Sequence, residues 1–288
     1  MSLSSILKSG VRRIFRSCIA LPILVGLLFS KPILASEPEL VFGIVPQQSA
    51  TELARLWIPL IQEVATRTGI RLTFRTAPDI PTFEERLKQG EYDLAYMNPY
   101  HYTVFSKSPG YRAFAKEKDR RLIGIIVIAK NSPITDIKQL AGKVVAFPAP
   151  AAFAASILPR AEFSRLDIPI ETRYVMSHDS VYRGVAQGAF AAGGGINRTL
   201  EAMDPAVSSQ LKVLTTTPSY VSHAFAAHPR VSSGTLAKVF AGLSSLDADD
   251  VGRNLLRPLS MKGIEAASNR DWDEIRRLKI DQNVGRLP

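Results

Sequence analysis

Leu40-Val41-Phe42-Gly43-Ile44-Val45, followed by Ser49-Ala50-Thr51-Glu52 and then by Leu53, Leu56, Trp57, Leu60, Ile61 and Val64, decides the fold. The first six residues are almost all apolar, as a strand buried on both faces of a parallel sheet requires. Ser49 and Glu52 have the capping-box spacing that opens a helix, the apolar residues after them recur at helical spacing, and Gly69 supplies a stop. Pro59 stands inside this helix and is expected to kink or split it. A buried strand feeding an amphipathic helix is the unit of an α/β fold with crossovers.

The unit recurs downstream. A strand is expected at 70–76, a helix at about 82–89 and a strand at 92–97. A second series follows the apolar run 122–129, with strands at 143–147, 171–175, 189–192, 211–214 and 221–227, and helices at 151–163, 180–187 and 197–203. Ser232 or Ser233 then caps a helix carrying Leu236, Val239, Phe240 and Leu243. No repeat, low-complexity stretch or Pro-Gly-Ser linker separates the two series, so two lobes wound through each other are expected. The first takes residues 38–128 and 226–288, and the second takes 129–225.

The amino-terminal segment is different in kind. Lys8, Arg12, Arg13, Arg16 and Lys31 occur in residues 1–35 without one acidic residue, and an apolar run at 19–29 leads to Ile33-Leu34-Ala35. That order is expected of an export signal cleaved near Ala35. The apolar run falls short of the roughly 20 residues of a membrane span, although an uncleaved anchor is the alternative. Arg12-Arg13 offers the twin-arginine route as an alternative to general secretion. The single Cys, Cys18, precedes the apolar run, so a cleaved chain has no cysteine.

Charge has to be weighed after removing that segment. The chain of 288 residues has 36 basic and 26 acidic side chains, a formal charge of +10; without the five terminal ones, 31 against 26 leave +5. The densest basic stretch, Lys116 to Arg121, includes Glu117 and Asp119, which describes a solvated surface and not a stripe for phosphate backbones. Nucleic acid is therefore not an expected partner. With 46% hydrophobic and 22% charged residues, disordered, coiled-coil and disulfide-scaffold classes are also excluded.

Several segments together carry a resemblance. They are Asn131-Ser132-Pro133-Ile134 with Asp136-Ile137, Leu140 and Gly142-Lys143-Val144-Val145-Ala146-Phe147; Tyr92 to Tyr102; Ala77-Pro78-Asp79; Trp57-Ile58-Pro59; and Ser177-His178-Asp179-Ser180. In order and spacing the chain resembles the phosphate/phosphite/phosphonate-binding branch of the bilobal periplasmic solute-binding proteins, from about Leu40 to beyond Ala227. The resemblance implies a type II periplasmic-binding-protein-like fold, two α/β lobes with a hinge of two crossing segments. It also implies a monomer without cofactor that closes on a small oxyanion-like solute and delivers it to an inner-membrane ABC permease. The alternative is a sensing module that hands its bound state to a sensor kinase or receptor.

Carried over residue by residue, the resemblance departs from the family at informative places. Phosphonate binders of the branch have Ser-Thr-Ser-Gly at the first helix of the second lobe, where this chain has Ala152-Phe153-Ala154-Ala155. Backbone amides remain there, but several charge-assisted hydrogen bonds of roughly 1.5 to 3 kcal/mol each are lost. Ile80 replaces a Tyr and His223 an acid, which moves the site toward aromatic and imidazole character.

The residues themselves give the candidates. In Tyr96-Met97-Asn98-Pro99-Tyr100-His101-Tyr102, a strand ends in Asn-Pro and opens a helix, which sets Asn98 at the N-cap and Tyr100 and His101 around an exposed helix terminus. Tyr96 and Tyr102 are ligand residues or packing residues with wet hydroxyls. His178 and Asp179 orient a ligand, or Asp179 caps its helix. Arg198 neutralises an anion or is an exposed helical arginine. Gly193-Gly194-Gly195 allows backbone to approach a ligand or makes a tight turn, and His223 is a ligand residue or a strand-edge residue. Ala152, Phe153 and Ala154 offer amides. No nucleophile motif or paired metal-ligand spacing is present, so neither an enzyme nor a metal site is expected.

Overall fold

The computed structural model describes residues 39–280; the export signal expected at 1–35, and residues 281–288, lie outside it. Leu40–Ile44 forms β1, with Phe42 and Ile44 buried. The helix α1 (Ala50–Thr68) follows, opened by the Ser49 hydroxyl accepting the Glu52 N–H at 3.3 Å and closed by Gly69 at φ 72°. Pro59 does not split it. The helix runs through Pro59, which sits on the exposed face beside exposed Arg55, the residue whose carbonyl it leaves without a helical donor.

The order continues with β2 (Leu72–Arg75), α2 (Ile80–Lys88), β3 (Leu94–Met97), α3 (Pro99–Phe105), β4 (Arg112–Glu117), β5 (Arg121–Ala129) and β6 (Val144–Phe147). A π-helical turn at Phe153–Ile157 runs into α4 (Leu158–Arg165), and β7 (Glu171–Tyr174), α5 (His178–Ala186), β8 (Ala192–Ile196), α6 (Asn197–Glu201) and α7 (Pro205–Ser208) come next. The chain ends with β9 (Leu211–Val221), β10 (Ala224–Ala227), α8 (Ser233–Ser244), α9 (Asp250–Leu256), β11 (Ile264–Ala266) and α10 (Asp273–Arg277).

Two sheets result, one of six strands ordered β11-β4-β10-β3-β1-β2 and one of five ordered β7-β6-β8-β5-β9. In each the strands that precede helices are parallel: β1 with β2 and β3, β6 with β7 and β8. The chain passes between the sheets twice, between β4 and β5 and again between β9 and β10. The apolar run 122–129, expected within the first lobe up to residue 128, is β5 and pairs with β8 and β9 of the second sheet. It is apolar on both faces because both are covered: Ile126 joins Val145, Phe147 and Phe163 on one side, and Ile125 and Val127 join Val181 and Tyr182 on the other.

The glycine triplet also departs from expectation. Gly193, Gly194 and Gly195 lie inside β8, not in a turn after it. A Cβ on Gly193 would stand 2.2 Å from Val181 Cγ1, on Gly194 2.0 Å from the Ala155 carbonyl oxygen, and on Gly195 2.1 Å from the Tyr182 hydroxyl. Glycine is there because helices lie almost on the strand backbone.

Candidate functional site

The helices that follow β1, β3, β6, β7 and β8 all begin at the carboxyl ends of those parallel strands, where α/β sheets bind ligands. Between the two sheets these ends enclose a cavity of about 10 Å³, room for one water molecule. Its polar wall is Gln47, Asn98, His178 and His223; its apolar wall is Val45, Ile80, Leu122, Phe153 and Ile196; and the segment Ala152 to Ala155 closes one side.

That segment starts the Phe153–Ile157 turn, and no described side chain caps it. The Ala152 carbonyl accepts from Ser156 N at 2.7 Å and Ile157 N at 3.1 Å. The N–H groups of Phe153, Ala154 and Ala155 are then the ones that helix geometry leaves without an intrahelical acceptor, at the positive end of the helix dipole. Gly124 and Gly194 seat this helix start on the second sheet, since a Cβ on Gly124 would lie 2.1 Å from the Ala154 carbonyl oxygen.

Asn98 is the N-cap of α3, as its Asn-Pro setting leads one to expect. Its Oδ1 accepts the His101 N–H at 2.8 Å, so its Nδ2 donates to the Ala151 carbonyl at 3.0 Å and to His101 Nε2 at 3.2 Å. His101 therefore carries its proton on Nδ1. It is fully buried beside Glu84 and does not line the cavity. Burial holds His101 down to about 3 and pushes Glu84 up to about 7.

The other two histidines do line the cavity. His178 is held through Nδ1 by Thr199 Oγ1 at 2.9 Å; burial, and after it the Arg198 charge, hold it down to about 3. The His223 ring stacks on Tyr96 at 4.8 Å and 12°, with Gln47 Nε2 at 3.1 Å from its Nε2. Arg198 donates to Gln47 Oε1 at 3.5 Å, which leaves the amide nitrogen as donor to His223 and the His223 proton on Nδ1. That Nδ1 is buried without a partner among the described residues. Burial and then Arg198 keep His223 well below the usual histidine range.

Arg198 is buried, not exposed on α6. Its Nη1 donates to both Glu117 oxygens at 3.0 and 3.1 Å and its Nη2 to the Tyr96 hydroxyl at 2.9 Å, while Tyr96 donates to Glu117 as well. Burial works most strongly against the guanidinium charge, but Glu117 and Tyr96 together outweigh it and Arg198 stays cationic. Tyr96 is thus tied into an ionic network behind His223 and has no wet hydroxyl. Tyr102 likewise bonds Asn269 and the Ala113 N–H. Tyr100 lines a separate groove with Thr103, Lys107 and Arg276. Asp179 neither lines the cavity nor caps α5, whose cap is Ser177; it accepts the Ser49 N–H at 3.3 Å from across the cleft.

Gln47 and Ile196 fall in strand-end stretches, 47–51 and 194–198, where the sequence leads one to expect a ligand, whereas Leu122 and Glu117 are absent from the candidates read in the sequence. Gln47 had a signal, its place just beyond the first strand. Glu117 had none, because its partner Arg198 lies 81 residues away. Among the described residues no group of three His, Cys, Asp or Glu could hold a metal ion, and no helix is long and apolar enough to cross a membrane.

A family model for the periplasmic substrate-binding protein of phosphonate ABC transporters matches residues 42–272. The chain belongs to that family. The fold agrees with a binding protein component of an ABC phosphonate transporter from Pseudomonas aeruginosa, at a TM-score of 0.79 and 17% identity over 84% of this chain and 86% of that one. It agrees equally with PhnD1 from Prochlorococcus marinus in complex with methylphosphonate, at 0.78 and 16% over 86% and 98%. A histidine kinase sensor domain similar to periplasmic binding proteins gives 0.59 and 13% over 81% and 99%. A search of curated protein sequences returns no match.

Proposed function

We propose that this family member is exported by residues 1–35 to the periplasm, holds a small phosphorus oxyanion of the phosphonate, phosphite or phosphate type between its lobes, and delivers it as a monomer to an inner-membrane ABC permease. The observation that carries the reading is the uncapped helix start at Phe153, Ala154 and Ala155, which closes a cavity lined from both sheets by neutral polar side chains. Helix amides bind anions through partial charge without a cation having to be buried with them. The His223 Nδ1–H supplies a further donor, and Gln47, Asn98 and His178 orient the solute.

The Asn98 to Ala151 bond and the His178 N–H to Gln47 carbonyl bond at 3.2 Å both span the cleft. A solute larger than water is admitted by breaking them, the lobes turning about the two passages after β4 and after β9. The walls favour a compact head group with a short substituent. Members of this family are transport proteins, and no step of chemical conversion is assigned to the site.

Thermal unfolding of the purified protein with methylphosphonate, phosphite and phosphate tests the reading. At about 100 times Kd, linkage gives roughly 2.7 kcal/mol, a rise on the order of 5 to 10 °C. A flat response to all three would overturn the oxyanion assignment. Loss of growth on the bound oxyanion in a strain lacking the gene supports transport, whereas intact growth with altered gene expression would assign sensing.

A further inference from the structure

We propose that the site discriminates by charge within its ligand class: it takes oxyanions with a hydrogen or short alkyl substituent and rejects those whose substituent carries an ammonium group. This inference rests on the oxyanion reading above and adds to it. No Asp or Glu among the described residues lines the cavity. The carboxylate of the network, Glu117, does not line the cavity and its charge is already paired with Arg198, from which it accepts two hydrogen bonds beside one from Tyr96. The charge that does reach the cavity is positive. Arg198 touches Gln47 and the Tyr96 hydroxyl, and Gln47 and the Tyr96 ring hold His223 at the cavity wall.

The histidines report the same field. Both that line the cavity are kept neutral by burial first and by the Arg198 charge second, so the site resists one more proton. An ammonium group there meets the same desolvation and the same repulsion, with no acceptor carboxylate to offset either. Its oxyanion head would still find the helix amides. The penalty therefore falls on the substituent alone, which makes it a specificity rule and not a loss of binding.

Ethylphosphonate and aminomethylphosphonate have the same heavy-atom skeleton and differ in a methyl against an ammonium, so calorimetric titration of the purified protein at pH 7.5 separates charge from size. Methylphosphonate serves as the reference ligand. The expected result is binding of methyl- and ethylphosphonate and weakening of the amino compound by about 100-fold or more relative to ethylphosphonate. Gln47→Glu, which faces the existing Arg198 guanidinium and can pair with it, is expected to narrow that ratio about tenfold. Equal binding of the two isosteres overturns the charge rule and leaves the oxyanion reading standing. Equal rejection of both while methylphosphonate binds overturns it in favour of size. No binding of any of the three sinks the oxyanion reading itself, and the rule with it.

Discussion

Ala152 and Ala154 end the helix wall in methyl groups, so an anion at this point, as proposed, would be held from that side by backbone N–H alone. Putting a hydroxyl back at either place, Ala152→Ser or Ala154→Ser, adds a donor to a charged acceptor, worth roughly 1.5 to 3 kcal/mol. The affinity for methylphosphonate measured by calorimetry is expected to rise about 10- to 100-fold for whichever serine reaches the oxygens. An unchanged affinity in both variants would show that the oxyanion does not sit at the helix start. Single residues were legible in the sequence where the cause was local. Asn98 followed by Pro99 announces an N-cap, and it is one. Arg198 could not be resolved, because its burial is created by Glu117 and Tyr96 on strands that the sequence does not place beside it.

Elements were legible to the same degree and for the same reason. The Ser49 cap, the Gly69 stop and the apolar stripe between them lie within α1, and the helix forms with those limits. The glycine triplet was unreadable because what it makes room for, the Ala155 carbonyl and the Val181 and Tyr182 side chains, belongs to other elements. Pro59 misled as to a split, since propensity counts the lost hydrogen bond and not the side of the helix on which it is lost. Gly194→Ala tests the close packing. Its Cβ would lie 2.0 Å from the Ala155 carbonyl oxygen, so the helix start has to lift. The expected cost is about 3 kcal/mol in chemical denaturation, from overpacking, together with weaker oxyanion binding. A variant as stable as the parent, and binding as well, would show that the contact is slack.

At the scale of the whole molecule, the three histidines around the cleft set how the fold responds to acid. His101, His178 and His223 are neutral when folded and held below their usual range, whereas in the unfolded chain each takes up a proton near pH 6.5. Unfolding therefore binds protons, and stability falls as pH drops below 6.5. Glu84, raised to about 7, acts in the opposite sense between about pH 4.5 and 7 by holding a proton in the fold. Three histidines less one carboxyl leave about two protons, or about 2 to 3 kcal/mol per pH unit near pH 5.5; His228, also lowered, adds to this slope and Asp179, raised by burial, subtracts from it. Denaturation midpoints between pH 7 and 5 measure the slope, and His178→Gln, which removes about one of those two protons, is expected to reduce it by about half. A flat profile would mean that these rings are solvated. The two-lobed plan was legible because strand and helix periods are local, but the passages between lobes were not, since only pairing reveals that residues 121–129 belong to the second sheet. In most helix-to-sheet contacts, side chains act as springs between the two backbones. Under Ala154 and Ala155 there is no spring, because Gly124 and Gly194 bring carbonyl and strand into direct contact. If the solute is held by those amides as proposed, a tug on them would be borne by the strands themselves, and the five-stranded sheet would take the load as one lever.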